Sequence, residues 1–128
     1  MPYRLVGRAE DRIDVVLLES ARRGGMEAAA RYNRLIIAAM TAIAEAPTLP
    51  GSRAVHGVAG VRVLHLQSVR RLVPREHRVG APRHLVVYRV APDGAVEILS
   101  LVHDRMLLAR AARRAQRAAD AGGGAEAG

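Results

Sequence analysis

The chain has 128 residues, enough for one domain, and half of them are apolar, so a hydrophobic core is expected without any phenylalanine or tryptophan. The absence of cysteine excludes disulfides and thiol chemistry, and the longest apolar run, Leu35 to Met40, is too short to span a bilayer. The net charge of +8 comes entirely from arginine, which favours an anionic partner, and we expect a cytoplasmic protein that does not bind membranes.

The first third of the chain predicts a strand followed by a helical hairpin. Tyr3 to Val6 alternates as a short strand does, and apolar residues then recur at helical spacing over Glu10 to Ala21 and over Met26 to Glu45. Between the two helices, Arg22-Arg23-Gly24-Gly25 places cations at a helix end and glycines beyond it, which is a stop signal. Pro47 ends the second helix, so we expect two antiparallel helices joined by a short turn.

The middle of the chain predicts one strand between two irregular segments. Thr48 to Gly60 carries proline, glycine and serine without hydrophobic periodicity and is expected to be a loop. Val61 to Leu66 is an apolar run typical of a strand. Gln67 to Pro82 contains four arginines, two prolines and a glycine, and it is expected either to extend the strands as a β-ribbon or to remain a basic loop.

Arg83 to Met106 carries the strongest local signal in the sequence, that of one β-hairpin. Two apolar runs flank Pro92 to Gly94, where proline presets φ for the turn and glycine can take the positive φ at its end. With that loop, Arg89 lies opposite Glu97, which we interpret as a structural cross-strand ion pair of about 0.2–1 kcal/mol. The same register places Arg83 opposite His103, at the end of the hairpin farthest from the turn.

A last helix is expected from Arg105 to Ala119 with Asp104 as its N-cap, and residues 120–128 are expected to be a flexible tail. Its arginines gather on one face and its small apolar residues on the other: Arg110, Arg113, Arg114 and Arg117 against Leu108, Ala111, Ala112, Ala115 and Ala119. The order of elements predicts one α+β domain over residues 1–119. Its antiparallel sheet consists of the N-terminal strand and a three-strand meander, an α-helical hairpin covers the sheet, and a C-terminal helix follows.

Four segments in this order resemble the RelE/ParE superfamily of type II toxin–antitoxin toxins, also called plasmid stabilisation proteins. They are RYNRLIIAAMTAIAEAP with its following Gly51-Ser52-Arg53, VRVLHL, RHLVVYRV and DGAVEILSLVHDRM. The superfamily commonly shows Arg-Tyr in its second helix, a strand of the type His-x-x-x-Tyr-Arg-Val, and a final strand closing in His-x-x-Met. The resemblance runs from about Tyr3 to Arg110, and the alanine-arginine extension beyond Arg110 is not a general feature of the superfamily.

The resemblance implies a small sheet with a helical hairpin, and a cognate antitoxin that neutralises the toxin in a hetero-oligomer. Two activities occur on this fold: ParE-like members inhibit DNA gyrase, whereas RelE-like members cut mRNA on the ribosome. We favour the ParE-like mode, with a RelE-like endoribonuclease as the first alternative. A non-toxic basic protein that binds nucleic acid or acts as an adaptor is the second alternative, because fold alone does not fix function.

A RelE-like site would need a base for the 2′-hydroxyl, cations for the phosphate and an acid for the leaving oxygen. Arginine stays protonated, so the base must be histidine or carboxylate in a chain without lysine. His103 is the candidate, with Arg62 and Arg105 to hold phosphate, and no tyrosine follows Tyr88 to serve instead. The five histidines lack ligand-like spacing, so we expect no metal and no cofactor.

The remaining candidates are arginines that could contact an acidic antitoxin segment, gyrase, or the phosphates of ribosomal RNA. A solvated basic face is the alternative interpretation of each. Some of these arginines lie in or directly after Gln67 to Pro82, which we call the basic segment, and the others lie on the last helix. They are Arg70, Arg71, Arg83, Arg110, Arg113, Arg114 and Arg117.

Overall fold

A computed structural model describes residues 3–127, with side chains up to residue 122. In chain order its elements are β1 (Tyr3–Leu5), α1 (Ala9–Glu45), β2 (Ser52–Ala54), β3 (Arg62–His65), two 3-10 helices (Leu66–Leu72 and Arg75–His77), β4 (His84–Val90), β5 (Val96–His103) and α2 (Leu108–Ala127). Among the described residues, no helix combines the length and the apolar character that crossing a bilayer requires.

The five strands form one sheet in the order β1-β5-β4-β3-β2. Neighbouring strands from β2 to β5 are antiparallel, whereas β1 runs parallel to β5. The predicted α+β class, with an N-terminal strand and a three-strand meander, is confirmed. The expected antiparallel pairing is wrong for β1, because no tight turn connects it to β5 and the two strands lie parallel. The additional strand β2 lies inside the segment that we expected to be a loop. Its three residues are too few to show a periodicity, and they are held by pairing with β3.

The predicted helical hairpin is also confirmed. Gly25 interrupts α1 with φ 81° and ψ −177°, a conformation that favours glycine and that divides the element into two arms. Both arms pack on one face of the sheet, where Ile13 and Val16 from the first arm join Leu35 and Ile36 from the second in one buried cluster. This packing places the helix break near the end of the sheet where β4 begins and β5 ends.

The register of the β4–β5 hairpin agrees with the prediction near the turn and departs from it farther away. Arg89 faces Glu97 and Tyr88 faces Ile98, but a bulge then leaves Leu99 without a partner, so Val87 faces Ser100. The prediction that Arg83 faces His103 is therefore wrong, because His84 takes that place. Side chains alternate between the two faces of the sheet, so without the bulge the Ser100 hydroxyl would lie in the core under α1. The extra residue shifts this alternation by one position, and Leu101 packs in that core instead.

Helix α2 covers the second face of the sheet, so both faces are buried. Its alanines meet the side chains of Val63, Val87 and Leu99 in a second buried cluster. The helix begins at Leu108 rather than at Arg105, because the Asp104 carboxylate binds side chains of the sheet instead of capping the helix. It also continues to Ala127, through the glycines from which we expected a tail, and residue 128 lies outside the described residues.

The contact between Gly7 and Ala119 provides a test of how closely α2 packs. A Cβ on Gly7 (φ +58°) would lie 2.8 Å from the Ala119 nitrogen, whereas a Cβ on Gly60 (φ +77°) would meet nothing within 4 Å. We expect Gly60→Ala to lose about 1–2 kcal/mol of unfolding free energy from its positive φ alone. Gly7→Ala should lose about 1–3 kcal/mol more, because the backbone of α2 must move. Urea unfolding of the two variants measures the difference, and equal losses would contradict the close packing.

Candidate functional site

Polar side chains gather where β4 begins and β5 ends, at the end of the sheet farthest from the hairpin turn. We call this group the polar cluster; its members are Tyr32, His65, Arg83, His84, His103 and Asp104. His84 and His103 lie opposite each other on the two strands, and their rings meet edge to face with centroids 5.2 Å apart. The rings of Tyr32 and His84 meet in the same way at 5.5 Å. The cluster therefore joins α1 to the sheet.

Tyr32 connects the helix to the start of β4 through two hydrogen bonds. Its hydroxyl oxygen accepts the backbone N–H of Arg83 at 3.2 Å, so its own proton is free to be donated to Nδ1 of His84. Burial raises the pKa of the Tyr32 phenol, although the bond from Arg83 opposes that change. Burial, followed by the nearby charge of His103, lowers the pKa of His84 to about 4. Both groups are therefore neutral at pH 7.

Asp104 is the anionic centre of the polar cluster. The Arg83 guanidinium donates to it from two nitrogens at 3.0–3.2 Å, and Nε2 of His65 donates at 3.1 Å. The hydrogen bonds from Arg83 and then from His65 hold the pKa of the Asp104 carboxyl at about 2. This carboxylate therefore ties together β3, the residue before β4, and the residue after β5.

Two histidines of the polar cluster accept a backbone hydrogen bond at Nδ1. The donors are the N–H of Gln67 to His65 at 3.0 Å and the N–H of Arg105 to His103 at 3.1 Å, while Nδ1 of His84 is hydrogen-bonded to the Tyr32 hydroxyl. A neutral imidazole that accepts at one nitrogen carries its proton on the other, so His65 and His103 each present an N–H at Nε2. The contact of 3.4 Å from Nδ1 of His103 to Asp104 is therefore not a hydrogen bond while Arg105 donates there.

A cavity of about 270 Å³ lies against the polar cluster, between the helical hairpin and the end of the sheet. Tyr32, His84 and His103 line one side of it, and the first arm of α1 contributes Glu19 and Arg23. His103 is about one third exposed there, with a side-chain exposure of 35%. Nowhere in the described part of the chain do three or more His, Cys, Asp or Glu side chains come together as a metal site would need.

The structure separates the three residues that we predicted as catalytic. Arg105 lies two residues after His103 and is exposed. Arg62, on β3, lies opposite Tyr88 of β4, about 13 Å along the sheet from His84 and His103. Nη2 of Arg62 donates to the Ser52 hydroxyl at 2.7 Å, and its buried Nε has no partner among the described residues. The polar cluster thus brings His103 together with Arg83 and not with Arg62.

The arginines of the basic segment bind the backbone of that segment. Arg70 donates to the carbonyl of Val79, and Arg71 donates to that of Ser68 at 2.8 Å. Arg78 donates to two further carbonyls. These bonds and the two 3-10 helices replace the β-ribbon or loop that we expected, because the guanidinium groups satisfy carbonyls that lack sheet partners.

Arg89 and Glu97 form the pair expected from the register, with 2.8 Å between Arg89 Nε and the carboxylate. The same guanidinium also reaches Asp120 of α2 at 2.8 Å. On the other side, Glu97 accepts from Arg4 of β1 at 3.3 Å. The pair therefore belongs to a chain of charges that joins β1, β5, β4 and α2, which supports its structural interpretation.

Sequence reasoning missed most of the polar cluster. Tyr32 belongs only to the helical pattern of the second helix and to its Arg-Tyr motif, and the sequence predicts Asp104 as a helix cap. His84 and His65 carried no spacing signal, since their meeting depends on the bulge at Leu99 and on the pairing of β3 with β4. The one available hint was the adjacent His103-Asp104 pair, which has Arg83 opposite it in the predicted register and Arg105 after it in the chain.

The chain matches a known protein family. A family model described as the ParE toxin of a type II toxin-antitoxin system, parDE, matches residues 3–108. A search of curated proteins finds no significant match to the chain. The matched segment ends where α2 begins, at Leu108, and it includes every member of the polar cluster.

Burial of His84 predicts a pH-dependent stability. Its pKa of about 4 in the folded protein lies below its ordinary value of 6.5, so between these values the unfolded chain binds the proton more readily. The contribution of His84 to the free energy of unfolding should therefore be fully present above pH 6.5 and should be lost as the pH drops towards 4. Each unit of pKa difference corresponds to about 1.4 kcal/mol, and we expect a loss of about 2 kcal/mol because the ring is partly exposed.

Unfolding free energies measured from pH 4 to pH 7 test this expectation. His84→Gln should abolish most of the slope, whereas the control His56→Gln, at an exposed position between β2 and β3, should keep it. Protonation of Asp104, with its pKa of about 2, falls below this window. If His84→Gln and the wild type have the same slope, His84 is not the source.

Proposed function

The chain belongs to the ParE toxin family of type II toxin–antitoxin systems, and on that basis we propose that it arrests growth by inhibiting DNA gyrase and does not cut RNA. The observation that carries the proposal is the family match over residues 3–108. ParE-like members of the superfamily act on gyrase, and the chemistry of the polar cluster agrees with a toxin that performs no hydrolysis.

The polar cluster lacks a free proton acceptor, which RNA cleavage requires. His65 and His103 each use the Nδ1 lone pair to accept a backbone N–H, and each carries its proton on Nε2, while Nδ1 of His84 is engaged with the Tyr32 hydroxyl. Asp104, whose pKa is about 2, is a poor base at neutral pH because Arg83 and His65 stabilise its anion. These groups support the fold better than they support catalysis.

A RelE-like endoribonuclease is the second candidate function, because His103 is partly exposed beside a cavity that also contains Arg23 and Arg83. In that reaction Nε2 of His103 could donate a proton to the leaving oxygen, with Arg105 nearby to hold phosphate. The base would have to be the Glu19 carboxylate, which lines the same cavity, a changed tautomer of His103, or a group of the ribosome. Arg62 would act only if the RNA extended about 13 Å across the sheet.

Membership of the family implies an antitoxin partner. We propose that the antitoxin neutralises this toxin in a hetero-oligomer, and that its gene is adjacent to the gene for this chain. Co-expression of a short acidic protein encoded in the neighbouring reading frame should restore growth, and the two proteins should be purified together. Growth arrest that persists despite co-expression, with no complex formed, would reject that neighbour as the partner.

The choice between gyrase and RNA predicts different products. Purified protein added to gyrase, ATP and relaxed plasmid should reduce supercoiling in proportion to its concentration. After induction in cells, primer extension on abundant messages should show no new ends. Cuts phased with codons, together with normal supercoiling, would reject the gyrase proposal and establish the ribosome-dependent nuclease.

Substitution of His103 separates the two modes within cells. We expect His103→Ala to arrest growth as the wild type does, since gyrase inhibition requires no proton transfer. The control is Ala112→Asp, which puts a carboxylate into the buried face of α2 and should abolish toxicity through loss of folding. Circular dichroism of both purified proteins confirms which of them is folded. A folded His103→Ala variant without toxicity would favour a catalytic histidine.

A further inference from the structure

Helix α2 lies beyond the segment that the ParE family model matches, since that segment ends at residue 108 and α2 begins there. One face of α2 is buried on the sheet through Ala111, Ala112, Ala115 and Ala119. The opposite face is therefore a surface that the family match does not account for. Its composition shows which kind of partner it fits.

Four arginines form a continuous stripe on this exposed face: Arg110, Arg113, Arg114 and Arg117. Their spacing of three or four residues aligns them over about 10 Å of helix. None of them forms an ion pair with the described residues, in contrast to Arg83 and Arg89, which bind carboxylates. The only acid from Leu108 to Asp120 is Asp120 itself, and it is bound to Arg89.

A cavity of about 270 Å³ continues this positive surface towards the start of α1. Arg8 and Arg12 line it on the α1 side, and Arg114 of the stripe lines it on the α2 side. Ser100 also lines it, and its hydroxyl makes no hydrogen bond to the described residues. Of the described residues that line the cavity, none is acidic, so three guanidinium groups face one space.

We propose that the arginine stripe, together with Arg8 and Arg12, binds the phosphate backbone of double-stranded DNA. Phosphate contacts require cationic donors and no apolar core. A docked protein segment would need an apolar centre, and the arginine stripe itself carries no large apolar side chain; of those exposed nearby, Leu107 precedes α2 and Met106 lines the cavity. This binding goes beyond gyrase inhibition, and it would hold the toxin on the substrate of gyrase.

The positive surface also fits duplex DNA better than a single strand. Proteins that bind single strands stack the bases on exposed aromatic rings. This chain has three tyrosines and neither phenylalanine nor tryptophan. Tyr32 and Tyr88 are buried, and Tyr3 is half-buried on the first strand. The positive surface beside α2 therefore offers charge for a backbone and no platform for bases.

Fluorescence anisotropy of a labelled 20-base-pair duplex, titrated with the purified full chain from about 50 to 200 mM salt, tests the proposal. The double variant Arg113→Gln with Arg117→Gln should weaken binding about tenfold or more and reduce the slope of log K against log salt by about two. Arg8→Gln with Arg12→Gln should act in the same direction. The matched control, Arg22→Gln with Arg34→Gln, removes the same charge from exposed positions of α1, which covers the other face of the sheet.

Equal losses in the stripe pair and the control pair would overturn the proposal, because net charge alone would then explain binding. Tighter binding of a single-stranded RNA of equal charge would overturn it in favour of RNA. Competition by poly-glutamate as strong as that by unlabelled duplex would assign the surface to an acidic protein. Thermal unfolding verifies that each variant is folded. If DNA binding fails while gyrase is still inhibited, this proposal falls and the proposed function stands.

Discussion

Burial of both faces of the β4–β5 hairpin is the constraint on which the rest of this structure depends. Val86 and Tyr88 pack under α1, whereas Leu85 and Val87 pack under α2. With both faces buried, a polar side chain has no favourable place in the middle of the sheet, and the polar groups lie at its ends. The bulge at Leu99 follows from the same constraint, and it decides which residues meet at the far end of the hairpin.

Much of the fold was predictable because its signals are local. The turn around Gly94, the helix break at Gly25 and the segregation of alanine from arginine in the last helix can each be read over a few residues. The polar cluster could not be predicted, because it depends on one unpaired residue in β5 and on a long-range pairing with β3. A shift of one position exchanged Arg83 for His84, so His103 faces a neutral, partly buried imidazole instead of the predicted guanidinium.

The arginines of this chain have three different roles, which composition alone cannot distinguish. Some satisfy backbone carbonyls in the segment between β3 and β4, where no strand is available to do so. Others neutralise carboxylates at the two ends of the sheet, as Arg83 does for Asp104 and Arg89 does for Glu97. Those on α2 form no ion pair with the described residues, so their charge stays available for an anionic partner.

The alanine face of α2 has a consequence for synthesis of the protein in the cell. The first face of the sheet is covered by α1, which the ribosome makes before every strand of the meander. The second face is covered by residues 108–119, so it stays open until those residues have left the ribosome. During that interval Val63, Val87 and Leu99 present an uncovered apolar surface, which is prone to aggregation. Docking of α2 is therefore the step that closes the apolar core on this side of the sheet.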